Sequence, residues 1–95
     1  MSKDYALNSL PTGQELQQAL DTGTPLGIFI APVVDGANSR NKPTAHCVQF
    51  LVVSIEHEDG ACMVQLLAKN GFFAGKTYSG KIGSSVEDSH LTLED

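Results

Sequence analysis

Two glycine-containing corners constrain this chain more than any other feature in it. Between Val52 and Gly75 the sequence runs VVSIEHEDGACMVQLLAKNGFFAG, with Asp59-Gly60 and Asn70-Gly71 set among apolar residues. Such dipeptides signal two-residue type I′ hairpin turns, because those turns need positive φ at both central positions. If Asp59-Gly60 turns in this way, the pairing on either side is fixed. Ile55 then faces Val64, Val53 faces Leu66 and Leu51 faces Ala68, every pair apolar and all on one sheet face. The opposite face pairs Glu56 with Met63, Ser54 with Gln65 and Val52 with Leu67. Turn chemistry and hydrophobic pattern select the same register. By the same rule Asn70-Gly71 sets Ala68 opposite Phe73 and Leu66 opposite Gly75.

One helix is predicted before these hairpins. Thr12-Gly13-Gln14-Glu15 has the capping-box spacing, in which threonine and glutamate each bond the other's backbone N–H. Leu16, Ala19 and Leu20 follow on one stripe, and Gly23 suits the left-handed position past a helix end. The spacing predicts a helix over 13–21, too short to persist in water unless its stripe packs. From Pro25 to Val34 the chain is apolar on both faces, and Pro32 argues for an edge or bulge there. Residues 35–45 lack apolar periodicity and read as a long loop. Further strands are predicted over 76–82 and 91–93.

These elements make a mainly β (α+β) chain with one short N-terminal helix. The expected object is a strongly curled antiparallel meander, or a small SH3-like or OB-like barrel, of about five strands. Closure of that kind removes exposed strand edges. The 95 residues are read as a single small domain, with 1–10 and 94–95 frayed.

Charge narrows the function. The formal charge is −5, and it is unevenly placed: residues 82–95 hold Glu87, Asp88, Glu94 and Asp95 and no base. An acidic chain repels nucleic-acid phosphates at long range, so a single-strand binder is an alternative and not the first reading. It would use Lys69, Lys76, Tyr78, Lys81 and Arg40, with the aromatic ring as a stacking platform. There is no signal-peptide pattern and no apolar run of membrane-spanning length, so a cytoplasmic chain with no membrane partner is expected. Cys47 and Cys62 are then expected to be reduced thiols.

The titratable residues do not announce catalysis. His57 lies opposite Cys62 in the first hairpin, yet a dyad needs a group to orient the imidazole and an oxyanion site, and the sequence signals neither. The neighbouring Glu56, Glu58 and Asp59 would favour imidazolium while opposing thiolate. A four-ligand zinc site would need His46, Cys47, His57 and Cys62 to converge, but His46 and Cys47 are strand neighbours and point to opposite faces. No catalytic residue, metal or cofactor is therefore expected.

Two surfaces are predicted instead. The 36–44 loop carries Asn38, Arg40, Asn41 and Lys42, and with Lys76, Tyr78 and Lys81 it is assigned to ligand or partner binding. Phe50, Val52, Met63 and Leu67 fall on the outer face in the hairpin register and are too apolar for water. That face is assigned to cover by the helix or by a second copy, with a homodimer expected. The resulting expectation is a non-enzymatic binding or regulatory module contacting a protein or small ligand through the 36–44 loop and one barrel rim. Besides the nucleic-acid binder, the alternatives are an acidic inhibitor protein from a phage or other mobile element, of bacterial or phage origin, and a small Cys-His enzyme.

Overall fold

The computed structural model describes residues 3–33, 45–71 and 73–94. In chain order these form β1 (Lys3–Leu7), α1 (Gly13–Thr22), β2 (Leu26–Pro32), β3 (His46–Glu58), β4 (Ala61–Ala68), β5 (Thr77–Ile82), a 3₁₀ turn (Val86–Asp88) and β6 (His90–Glu94). The strands pair antiparallel, each with its neighbours in sequence, and β6 returns to β1 to close the barrel. The curled β architecture with one helix is as expected, with six strands where about five were foreseen. The additional strand is β1, in a stretch expected to fray. Tyr5 and Leu7 point inwards and are buried, while Asp4 is exposed, so this short segment has strand periodicity.

Helix α1 starts as its sequence requires. Thr12 Oγ1 accepts from the Glu15 N–H and Glu15 Oε1 accepts from the Thr12 N–H, each at 3.1 Å. It ends at Gly23, where φ is 69° and the N–H bonds the Ala19 carbonyl. Leu16 is fully buried and Ala19 nearly so, and both belong to the barrel core. Strand β2 pairs β3 only over His46–Phe50, and α1 packs against β3 as well as β2. The helix thus shields apolar surface that a longer β2 would have covered.

The β3–β4 hairpin turns at Asp59-Gly60 and keeps the foreseen pairs His57–Cys62, Glu56–Met63, Ile55–Val64 and Ser54–Gln65. Only Gly60 of the two corner residues has positive φ, at 72°, which is the requirement of a type II turn and not of type I′. Beyond Ser54 the register departs from expectation. Val53 is bulged, and the pairing resumes as Val52–Leu66, Leu51–Leu67 and Phe50–Ala68. The cause is a conflict of parity along one strand. Pairing with β2 sets Val48 against Ile28 and Phe50 against Leu26, which turns the even-numbered residues of β3 inwards. The hairpin corner turns Ile55 and His57 inwards instead. One extra residue reconciles the two and adds the twist that closure needs. Phe50 and Val52, assigned by sequence to the outer face, are therefore core residues at 0 % and 7 % exposure, while Val53 is 52 % exposed.

The Asn70-Gly71 corner is also wider than a two-residue turn. Asn70 Oδ1 accepts from the Gln49 N–H at 2.9 Å, and the Lys69 N–H bonds the Gln49 carbonyl at 2.8 Å. Asn70 thus extends the contact with β3, and the chain turns later, with Gly71 and Gly75 both at positive φ. The foreseen Leu66–Gly75 pair is replaced by Leu66–Tyr78. The core is filled from every strand and the helix, with Phe50, Leu16, Ile28, Leu66, Leu91 and Leu93 its largest fully buried side chains. Tyr78 meets Tyr5 and Phe50 edge-on, with ring centroids 5.5 and 5.2 Å apart.

Candidate functional site

A filled interior leaves the rims and outer faces as the places where this barrel can meet another molecule. The first site begins at the β3–β4 hairpin. Because His57 and Cys62 are cross-strand partners, their side chains share one face, and His57 Nδ1 lies 3.6 Å from Cys62 Sγ. Cys62 also opposes Ile82 on β5, which brings the hairpin base next to the 82–83 corner. The chain entering α1 lies on the other side. Together Leu10, Pro11, Leu16, Ala61 and Ile82 wall a groove of about 420 Å³, and His57, Glu58, Cys62 and the backbones of Gly60 and Gly83 complete it.

The 82–83 side of this groove is held by Ser89, the buried polar residue of the core. Its hydroxyl donates to the Ser85 carbonyl at 2.7 Å and accepts from the Gly83 N–H at 2.8 Å. Those two bonds tie the Gly83 side of the groove to the turn leading to the 3₁₀ segment. The imidazole and thiol touch each other here. Among the described residues no group of three or more His, Cys, Asp or Glu is placed to hold a metal ion. His46 and Cys47 stand on the part of β3 that pairs with β2, opposite Ile30 and Phe29, and both are exposed. They do not converge with His57 and Cys62.

A second concavity of about 410 Å³ lies on the outer sheet face, lined by Ser54, Glu56, Met63, Gln65, Ser79, His90 and Thr92 among others. Its floor is a row of polar side chains in register across successive strands, Ser54, Gln65, Ser79 and Thr92, and Asp4 continues the row beyond it. Ser54 bonds Gln65 at 3.3 Å and Thr92 donates to Asp4 at 2.9 Å, while Ser79 donates to Glu94 at 3.0 Å. These side chains spend hydrogen-bonding capacity on one another, which suits a structural belt better than a ligand cradle.

The residues singled out by sequence divide accordingly. Asn38, Arg40, Asn41 and Lys42 lie outside the described residues. Lys76 is exposed in the turn before β5, and Lys81 is half-buried on the outer face opposite Met63 and His90. Tyr78 is not on the surface with them. Its ring is 3 % exposed in the core, and burial, followed by the neighbouring Tyr5, pushes its phenol up to about 12. The binding role assigned to Tyr78 is thereby withdrawn, for the wider second turn moves it opposite Leu66 and into the barrel. Met63 and Leu67 do face outwards and are half-buried, but Phe50 and Val52 do not join them. Sequence reasoning missed the Leu10–Pro11 wall and the 82–83 corner, because a groove joining three distant segments has no local signal.

Among the described residues no helix is long and apolar enough to cross a membrane. In comparison with known proteins, no family model, no curated protein and no solved structure matches this chain.

Proposed function

We propose that this chain is a non-enzymatic binding module that takes its partner at one barrel rim, in the groove between the β3–β4 hairpin, the entry to α1 and the 82–83 corner. One observation carries the reading: apolar walls and a few convergent polar groups meet in a concavity of about 420 Å³ on an otherwise side-chain-filled barrel. That size and lining are those of small-molecule or side-chain pockets in general. The non-enzymatic part rests on chemistry. The sequence signals neither a group to orient the imidazole beside the thiol nor an oxyanion site, and a nucleophile–base pair needs both. The 36–44 segment, with Asn38, Arg40, Asn41 and Lys42, stays in the proposal as a second contact on the strength of its sequence.

Native mass spectrometry of the protein recovered from its host, as wild type and as Ala61→Trp, tests this reading. Ala61 is half-buried at the groove wall, so the indole fills the concavity from the surface. The expected result is a retained partner or ligand on the wild type that is lost from a folded Ala61→Trp. Equal retention by both overturns the groove, and a wild type that carries nothing overturns the reading.

A further inference from the structure

The fold gathers acidic residues around the same groove from three separate stretches of chain. Glu15 stands in the first turn of α1, its carboxylate bonded to the Thr12 N–H, and Thr12 lines the groove. Glu58 and Asp59 belong to the hairpin corner, and Glu58 is itself part of the groove lining. Glu87 and Asp88 form the 3₁₀ turn, where Asp88 packs against Gly83 at the opposite wall. Among the described residues no lysine or arginine lines the groove, and Lys81 is the one lysine of β5, facing outwards beside Met63 and His90. Lys69 and Lys76 sit at the far end of β4, roughly 23 Å from the hairpin at about 3.3 Å per strand residue. The groove end of the barrel thus carries Glu58, Asp59, Glu87 and Asp88 with Lys81 on its outer face, while Lys69, Lys76 and Glu94 stand at the far end.

Resting on the rim-binding reading above, we infer that the groove receives a basic segment of a partner protein. One apolar side chain of that segment seats against Leu10 and Ala61, above the buried Leu16 and Ile82, and lysines or arginines on either side of it face Glu15, Glu58, Asp59 and Asp88. An apolar floor inside an acidic rim divides the work in the usual way. Burial of the anchor gives affinity, and the rim charges steer approach and choose the partner. Nucleic acid, with its repeated negative charge, is repelled by this end of the barrel. A ligand carboxylate finds no lysine or arginine in the lining among the described residues. A cationic segment with an apolar anchor meets both features of the site.

A random peptide library selected against the intact protein tests the inference. The expected winners carry an apolar residue flanked by lysine or arginine. A synthesised winner is then titrated against the wild type, the Glu58→Gln/Asp59→Asn double variant, Ala61→Trp, and Glu94→Gln. Glu94 lies at the end of β6, away from the groove, and serves as the reference acid. Two rim charges are worth about tenfold in affinity together, so the double variant is expected to bind about tenfold more weakly, and Glu94→Gln like the wild type. Binding to the wild type is also expected to weaken with added salt. Winners without basic residues, or equal binding to the double variant, overturn the basic partner while leaving the groove in place if Ala61→Trp still abolishes binding. Winners indifferent to Ala61→Trp overturn the groove itself. A library that yields no winner overturns the peptide segment and leaves a small ligand as the occupant.

Discussion

Gly80 shows how much one residue can decide in a barrel this small. A Cβ built there would overlap the His90 carbonyl oxygen and lie 2.9 Å from Leu91 Cα. Both belong to the neighbouring strand's backbone, which cannot swing aside as a side chain does. Gly80→Ala is therefore expected to lower unfolding free energy by roughly 1–3 kcal/mol or more in urea titrations, through forced separation of β5 from β6. Tyr78 has the opposite character, a large polar side chain sealed in the core. Its folded-state pKa, raised to about 12, exceeds the ordinary value of 10.0 that it regains on unfolding. The folded state then holds the phenolic proton more tightly than the unfolded one. The stability tied to that proton is complete below about pH 10 and is lost as pH rises through about 12. Melting temperatures measured across that window are expected to fall for the wild type, with a shallower fall for Tyr78→Phe.

At the scale of elements, what was legible in the sequence was what local chemistry alone decides. The capping box at Thr12 and Glu15 and the glycine at Gly23 set both ends of α1 almost to the residue. Thr12→Ala is expected to cost about 1 kcal/mol of stability, read by thermal or urea unfolding. Leu16→Ala, which empties a fully buried position, is expected to cost about 2–5 kcal/mol in the same measurement. The first half of the hairpin was legible too, since turn and pattern agreed from Ile55 to Glu58. The bulge at Val53 was not, because it arises only when β3 answers to β2 as well as to β4, and residues 33–45 separate β2 from β3 in the sequence. The second corner misled for a related reason. Asn70 has two uses, as a turn residue and as an acceptor, and its choice of the Gln49 N–H depends on where β3 lies. With those two registers shifted, Phe50, Val52 and Tyr78 changed from surface to core. The candidate groove was less legible still, as its walls come from residues 10–16, 57–62 and 82–83.

Viewed whole, the molecule depends on β1, the strand that local pattern gave least reason to expect. It stands between β2 and β6, bonding both. A chain beginning after Leu7 would leave the facing edges of both neighbours unpaired, and such edges recruit other chains. That truncation is expected to convert a monodisperse species into aggregates by light scattering, while retaining much of its far-ultraviolet β signal. The same closure explains why the acidic groove and the lysines of the β4–β5 turn sit at opposite poles: an up-and-down meander sends alternate connections to alternate ends.

The pairing of Lys3 with Leu93 also has a kinetic side. Strand β1 cannot find its second neighbour until β6, the sixth strand of the barrel, has been synthesised. The seam can therefore close only once all six strands exist, and refolding is expected on the millisecond-to-second scale typical of β proteins whose contacts span long stretches of sequence. A permuted gene that tethers these two adjacent ends and opens the chain at Asp59-Gly60 would place both sides of the seam early in synthesis.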